Sequence, residues 1–165
     1  MYSRLLKIVD STDSRFLNAE EQAAVLQYAA SIPARIEASK HAERIEGEAV
    51  RVTIQHIRRR YPKFEAYHQR GWDKGARDLQ LIFRYAVQAM ILDDPEVAEE
   101  KLYIWIRTVL SSFNITPGFV RDSYTIFRDV LREQLPANAY SLLEPHLNHA
   151  IQVLSDFPEP ALAAV

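Results

Sequence analysis

The sequence predicts an all-α protein, and three observations carry the prediction. Only 4 of the 165 residues are Gly, whereas Ala, Leu, Glu, Gln and Arg, which favour helices, are frequent. Apolar side chains recur at three- and four-residue steps in several segments, as on the buried face of a helix. The content of 48% hydrophobic and 25% charged residues is that of a globular protein. We therefore expect one helical domain over residues 1–165.

Helix signals divide the first third of the chain into three predicted helices. Residues 2–9 form a short apolar pattern that ends in a polar run. Asn18, followed three residues later by Glu21, has the form of a capping box and opens a second helix to about residue 30. Pro33 then marks a new start, which predicts a separate third helix over residues 34–60.

The spacing of apolar residues predicts that residues 72–92 form the central helix of the fold. Six apolar residues share one stripe, which we expect in the core: Leu79, Ile82, Phe83, Ala86, Ala89 and Met90. Arg77 and Arg84 project together from another side, two helical turns apart. Asp94 and Pro95 end this helix and begin the next.

Three further start and stop signals organise the last third. Residues 97–113 form a wide apolar face in which we expect Trp105 to be buried. Thr116 and the following proline start another helix, which stops before Pro136. Ser141 and Glu144 have capping-box spacing and predict the start of the last helix.

Composition restricts the functional classes. A net charge of -2 and a pI near 6.2 make nucleic acid an unfavoured partner. The absence of Cys excludes disulfides, thiol catalysis and thioether-linked groups. No apolar run reaches the roughly 18 residues of a membrane span, and the start does not resemble a signal peptide, so we expect a cytoplasmic protein without membrane insertion. Common catalytic and phosphate-binding motifs are also missing, so we expect no enzymatic activity.

The helix containing Arg77-Asp78, Arg84-Tyr85-Ala86 and Asp94-Pro95 resembles the chromophore-bearing helix of phycobiliproteins, above all allophycocyanin subunits. The resemblance extends over nearly the whole chain. It implies a globin-like fold with an amino-terminal helical pair, here residues 1–32, that makes the contact between subunits.

The resemblance also implies roles for individual residues. Asp78 would accept hydrogen bonds from the inner pyrrole nitrogens of a bilin, a linear tetrapyrrole, and Arg77 would pair with a propionate. Arg70, in the preceding loop, would lie near the propionates, and Tyr85 belongs to the same helix motif. A subunit-joining pair corresponds to Asp13 and Arg84, which implies a homodimer or a heterodimer with a related subunit.

Two departures distinguish the chain from an antenna subunit. Gly75 stands where the family has its attachment cysteine, and the loop after Pro62 lacks the family's modified asparagine. The chain is similar to cysteine-less, bilin-biosynthesis-associated globins of cyanobacteria. This similarity implies non-covalent binding of phycocyanobilin or biliverdin, with bilin-biosynthesis enzymes as partners.

Three alternatives stay open. Arg77 and Asp78 could form a surface or interface ion pair without a ligand. The chain could bind haem if His68, His146 or His149 faced a pocket, although the five histidines show no metal-ligand spacing. It could also be a ligand-free structural or regulatory partner of phycobilisome components.

Overall fold

A computed structural model of the chain describes residues 1–12 and 15–161, with the main chain alone at Tyr67. The described residues form α-helices and one π-helical turn, and no strand occurs among them. The helices are α1 (Tyr2–Ser11), α2 (Ala19–Arg60), α3 (Phe64–Tyr67), α4 (Gly71–Leu92), α5 (Pro95–Ala98), α6 (Ile104–Ser112), α7 (Pro117–Gln134) and α8 (Ala137–Leu154). The π-helical turn, Glu99–Tyr103, joins α5 to α6. The all-α prediction is confirmed.

Four helices enclose the main core. α2 packs against α4, α7 and α8, and both α4 and α7 pack against α8. The predicted stripe of α4 is buried, with each of its six side chains at most 3% exposed. Phe83 of this stripe meets Phe127 of α7 edge to face, with ring centres 5.5 Å apart. The predicted central role of α4 is therefore confirmed.

The predicted capping box at the start of α2 is present. The Asn18 side chain accepts a hydrogen bond from the Glu21 main chain at 2.9 Å, and the Glu21 carboxylate accepts one from the Asn18 main chain at 2.8 Å. Arg15 also donates to this carboxylate, and its hydrogen bond, followed by that of Asn18, lowers the pKa of Glu21 to about 2. The start of α2, predicted from Asn18 and Glu21 alone, is thus confirmed.

The predicted break at Pro33 is wrong, because α2 runs without interruption from Ala19 to Arg60. A proline inside a helix removes one N–H donor and leaves the carbonyl four residues earlier without its partner. Pro33 and Ala29, which carries that carbonyl, are both exposed. Water can therefore hydrogen-bond this carbonyl, and packing of the rest of α2 keeps the helix continuous.

Trp105 is 61% exposed, so its predicted burial is wrong. From the π-helical turn onward, the buried face of this segment is narrower than the sequence pattern suggests and consists of Leu102, Tyr103 and Ile106. Ile104, at 41% exposed, lies with Trp105 outside it. An apolar run on a helix permits several buried faces, and the packing of α6 and the π turn against α8 selects one of them.

The start of α7 is confirmed and the start of α8 is corrected. Thr116 caps α7 by accepting a hydrogen bond from the Phe119 main chain at 3.1 Å. α7 ends at Gln134, before Pro136, as predicted. The capping box predicted at Ser141 is wrong, because α8 already begins at Ala137 and the Ser141 hydroxyl donates to the Asn138 carbonyl instead.

Candidate functional site

A cavity of about 520 Å³ lies among α2, α4, α6 and α7, with the segment from Phe64 to Gly71 along one edge. Such a volume is typical of sites for small organic molecules. Most of its lining side chains are apolar: Ile54, Ile57, Phe64, Trp72, Leu79, Val109, Leu110, Phe113, Ile115, Phe119 and Val120. The polar lining comes from His68, Gln69, Lys74, Asp78, Ser123 and Tyr124. The cavity therefore suits a largely apolar ligand with a few polar groups.

Aromatic rings close one side of the cavity. Phe64 stacks on Phe119 of α7, with ring centres 4.6 Å apart and planes 9° apart. It also contacts Trp72 at 4.7 Å and His68 at 4.8 Å. The connection that leads into α4 therefore forms one wall of the cavity.

Two glycines of α4 line the cavity for different reasons. A Cβ atom at Gly71 would lie 2.5 Å from Phe64 Cε1, closer than packing allows, so glycine is required for the aromatic cluster to form. At Gly75 a Cβ atom would meet only Ile54 Cδ1, at 3.9 Å, which is ordinary contact. Packing does not require glycine at position 75, and its missing side chain leaves space next to the cavity.

Asp78 contributes a half-buried carboxylate to the cavity wall. Burial raises the pKa of Asp78, and the nearby positive charge of Lys74 partly opposes this shift. Lys74 lies one helical turn before Asp78 and also lines the cavity. A desolvated carboxylate in an apolar cavity is suited to accept hydrogen bonds from N–H donors of a ligand.

Some buried polar atoms beside this cavity have no hydrogen-bond partner among the described residues. Among the residues described, four buried side-chain atoms make no hydrogen bond: His68 Nε2, Tyr103 Oη, Ser123 Oγ and His146 Nδ1. Two of them belong to cavity-lining residues. Buried polar atoms in folded proteins are usually paired, so these two atoms leave hydrogen-bonding capacity unused beside the cavity.

Of the four residues predicted to bind a ligand, the structure brings only Asp78 to the cavity. Arg77 is exposed and is not part of the lining. Arg70 is exposed, has a left-handed main-chain conformation with φ 57°, and pairs with Asp73 at 3.4 Å. Tyr85 is half-buried and packs against the main core instead. The ligand-binding roles of all four stay predictions.

The predicted subunit-joining pair is only partly visible. Arg84 forms two hydrogen bonds with Glu46 of its own chain, at 2.7 and 2.8 Å. Asp13 lies outside the described residues. A contact between subunits through these two residues therefore stays a prediction.

Sequence reasoning missed Lys74, Ser123 and Tyr124. Lys74 could have been found, because it lies four residues before Asp78 and helical spacing places the two on one side of α4. Ser123 and Tyr124 reach the cavity from α7, through the packing of α7 against α2. No local signal in the sequence reports that long-range contact.

The three histidines considered as haem ligands occupy different places. His68 lines the cavity, and burial, followed by the charge of Lys74, lowers its pKa. His146 is only 6% exposed, and His149 contacts the Glu99 carboxylate at 2.7 Å, and neither belongs to the cavity lining. Within the described ranges, no three His, Asp or Glu side chains are grouped so as to hold a metal ion.

The model of the phycobilisome protein family matches residues 5–154. The chain belongs to this family. Its function is therefore related to that of the phycobiliproteins, whose subunits carry bilins and assemble with one another. A search among curated proteins finds no match. None of the described helices combines the length and the apolar character needed to cross a lipid bilayer.

The cavity fits the family's pigment in its chemistry. Asp78 offers an acceptor for pyrrole N–H groups, and the apolar lining suits the conjugated rings, whereas the buried Ser123 hydroxyl would have to turn to meet an oxygen of the pigment. The chain has no Cys, so a thioether link to a bilin cannot form. A bilin in this cavity would be held by non-covalent contacts alone.

Proposed function

We propose that this chain binds a linear tetrapyrrole, phycocyanobilin or biliverdin, reversibly in the cavity beside α4. The observation that carries the proposal is the placement of Asp78 and Gly75 together on the wall of a cavity of about 520 Å³. These are the two positions at which the family resemblance expects the pyrrole-binding carboxylate and the pigment attachment. This chain retains the carboxylate, as Asp78, and lacks the thiol, because Gly75 stands at the position of the cysteine.

In this proposal the protein works in the cytoplasm around bilin biosynthesis or its regulation, with biosynthetic enzymes as partners, and not in light harvesting. A pigment held without a covalent bond can be taken up and handed on, which suits a carrier or a sensor. We further propose that it is a binding protein without catalytic activity of its own.

Absorption titration tests the proposal. Biliverdin and phycocyanobilin, added separately to the purified chain, should give a sharpened, red-shifted band that saturates with protein concentration. Asp78→Ala should weaken this binding, whereas Asp73→Ala, which changes an exposed carboxylate of the same helix outside the cavity lining, should not. Absence of any spectral change with either pigment would falsify the proposal and would favour the ligand-free partner of phycobilisome components.

An introduced thiol can locate the bound pigment. Because the chain has no Cys, Gly75→Cys supplies a single thiol at the cavity wall, where a Cβ atom fits. Its reaction with a thiol reagent should slow several-fold once biliverdin saturates the protein. Gly47→Cys is the matched control, since it places a thiol on the exposed side of α2, where a Cβ atom meets nothing within 4 Å. Equal protection at both positions, or at neither, would place the pigment elsewhere.

We also propose that the chain forms a dimer through its amino-terminal segment, residues 1–32. Among the described residues, large exposed apolar side chains are frequent there: Tyr2 at 43% exposed, Leu6 at 47%, Val9 at 63%, Phe16 at 97% and Leu26 at 69%. Burial of such side chains favours association. Sedimentation analysis should show a dimer of the chain, or a complex with a related subunit, that Leu6→Glu and Leu26→Glu disrupt. Unchanged sedimentation of both variants would place the interface elsewhere.

One observation favours haem as a second candidate ligand, since His68 is the one histidine of the three that lines the cavity. Its Nε2 atom is buried without a hydrogen-bond partner among the described residues, so the ring would have to turn to reach an iron atom. Added haem should then give a Soret band that shifts in His68→Ala. A haem spectrum that is the same in this variant would exclude ligation by His68.

A further inference from the structure

A cluster of cations lies at one end of the molecule, where α2 ends and α7 begins. We propose that this end is a docking surface for an acidic partner protein, whose glutamate and aspartate side chains meet the cluster. The cluster, called the basic surface below, consists of Arg58, Arg59, Arg60, Lys63 and Arg121. Docking of this kind goes beyond pigment binding and does not require a pigment in the cavity.

The charge of the basic surface is opposite to that of the rest of the chain. Its five cations are accompanied by two carboxylates, Glu65 and Asp122, which leaves a net charge of +3. Because the whole chain has a net charge of -2, the remaining residues together carry -5. Such an asymmetry attracts the negative surface of a partner and turns it towards this end of the molecule before the two make contact.

Ion pairs and hydrogen bonds hold the basic surface together. The Arg60 guanidinium lies 2.6 Å from the Asp122 carboxylate of α7, which also accepts a hydrogen bond from the Tyr61 hydroxyl at 2.6 Å. The hydrogen bond from Tyr61, followed by that from Arg60, lowers the pKa of Asp122, so this carboxylate is charged at neutral pH. Arg58 lies 3.4 Å from the Glu65 carboxylate. The end of α2 is thus tied to α7 and α3, so less conformational freedom is lost when a partner binds.

Three cations of the basic surface have no carboxylate partner among the described residues, namely Arg59, Lys63 and Arg121. All three are exposed. The charge of Arg121 contributes to the lowered pKa of Asp122, so Arg121 lies close to the ion pair that joins α2 to α7. Because both carboxylates of this surface already have partners, the carboxylates that could pair with these three cations have to come from another molecule.

Stabilisation of α2 explains only part of the basic surface. Arg58, Arg59 and Arg60 form the last turn of α2, where cations stabilise the negative end of the helix dipole. Arg121 lies near the amino end of α7, where the dipole does not favour a cation, and Lys63 lies beyond the end of α2. The presence of these two cations beside the three arginines therefore favours a role in binding.

The carboxylates within the basic surface favour a protein over other polyanions as the partner. Glu65 and Asp122 lie among the cations, and the closely spaced phosphates of a nucleic acid or a lipid layer would approach them and be repelled. A protein can place its own carboxylates against the three unpartnered cations and neutral groups against the two carboxylates. The net charge of -2 on the whole chain also disfavours an extended anionic partner.

Binding of a fluorescent glutamate-rich peptide to the pigment-free chain, measured by anisotropy at physiological salt, tests the docking surface. The native protein should bind this peptide, and the affinity should fall as the salt concentration rises. A peptide with glutamine at every glutamate position should not bind. Lys63→Glu combined with Arg121→Glu should weaken binding by about tenfold or more. The matched control is Arg44→Glu combined with Lys101→Glu, which makes the same change of charge at exposed positions outside the basic surface. It should weaken binding by less than about twofold.

Melting temperatures show whether the double variants are folded, and Lys63→Gln combined with Arg121→Gln, a milder change, should give an intermediate loss of affinity. Equal losses in the two glutamate double variants would reveal an effect of net charge alone and would overturn the docking surface. Absence of peptide binding by the native protein would overturn it as well. Vesicles containing phosphatidylserine and duplex DNA are tested in parallel, and tighter binding of either than of the peptide would overturn the assignment to a protein partner. Because no pigment is present, these outcomes are independent of the titrations that test pigment binding.

Discussion

At the carboxyl end of α4, Arg35 and Asp94 are held by partners within the chain, although Nδ1 of the neighbouring His146 has none among the described residues. At the amino end of α4, two buried polar atoms of the cavity, His68 Nε2 and Ser123 Oγ, have no partner among the described residues. Arg35, 9% exposed, bonds to the Ser31 hydroxyl at 2.9 Å, to the Met90 carbonyl and to Asp93 at 2.8 Å. The Asp94 carboxylate accepts a hydrogen bond from the Ser3 main chain at 2.6 Å. At the cavity, the Ser123 hydroxyl has no such partner among the described residues.

This difference separates a structural part of the molecule from the part proposed to bind a ligand. Paired polar groups at the α4–α5 corner fix the direction of the chain and attach α1 to it. Unpaired groups at the cavity weaken the fold slightly, and such groups are retained where a ligand uses them. Substitutions at the corner should therefore change stability, and substitutions at the cavity should change binding with little loss of stability.

The largest expected effect is the loss of stability in Arg35→Ala. This change removes a buried cation together with one of the two hydrogen bonds to the Met90 carbonyl and the ion pair with Asp93, so the free energy of unfolding should fall by about 2–4 kcal/mol. Urea unfolding measures it. Arg51→Ala, which breaks the exposed pair of Arg51 with Glu48, is the control and should cause no measurable change. Similar losses in the two variants would contradict the structural role of the corner.

The second prediction concerns pH and the buried His146. Burial lowers the pKa of His146 to about 4, and Asp93 opposes this shift, while Arg35 and His149 add to it. The folded state therefore favours the neutral ring. Its contribution to stability is complete above the ordinary pKa of about 6.5 and is lost as pH falls towards 4, on the order of 2–3 kcal/mol. In His146→Leu this part of the pH dependence should disappear. If the free energy of unfolding changed equally between pH 7 and 4.5 in the native protein and in His146→Leu, His146 would not be the source of this pH dependence.

Two glycines on one helix test the packing of the cavity. Gly71→Ala should lower the free energy of unfolding by about 1–3 kcal/mol, because the added Cβ atom collides with Phe64. Gly75→Ala should raise it by about 0.5–1 kcal/mol, because alanine favours the helix and its Cβ atom fits. Thermal unfolding of both variants measures the difference. A loss at both positions would mean that the space beside Gly75 is smaller than the structure indicates.

Local sequence signals were sufficient where a few neighbouring residues determine the structure. The Asn18 capping box, the Thr116 helix start and the buried stripe of α4 are of this kind, and all three are confirmed. The signals failed where distant packing decides, as for Trp105.

Prediction of the cavity residues from the sequence meets the same limit. The family resemblance led to Asp78 because the helix motif is contiguous in the sequence. Lys74 was accessible by helical spacing, but Ser123 depends on how α7 packs, about 45 residues further along the chain than Asp78. A proposed binding site assembled from four helices can therefore be predicted only in part from the sequence of one of them.

The smallest change in stability is expected for Asp78→Asn, and it is the sharpest test of the contrast between the two ends of α4. Burial raises the pKa of Asp78, so the folded state favours its protonated form. Asp78 therefore contributes stability below its ordinary pKa of about 3.8, and this contribution is lost as pH rises through the raised pKa. Asparagine does not titrate, so at neutral pH the variant should be as stable as the native protein or slightly more stable.

Pigment binding should respond in the opposite direction. N–H donors of a bilin stabilise the charged form of Asp78, so the native protein should bind the pigment more tightly at neutral pH than near pH 4. Asp78→Asn should bind the pigment about tenfold more weakly at neutral pH. The variant should also lose most of the pH dependence of binding. Unfolding and titration curves recorded on the same samples give both quantities. A variant that loses stability and keeps its affinity would place Asp78 among the structural groups, as at the α4–α5 corner, and would remove the distinction between the two ends of the helix.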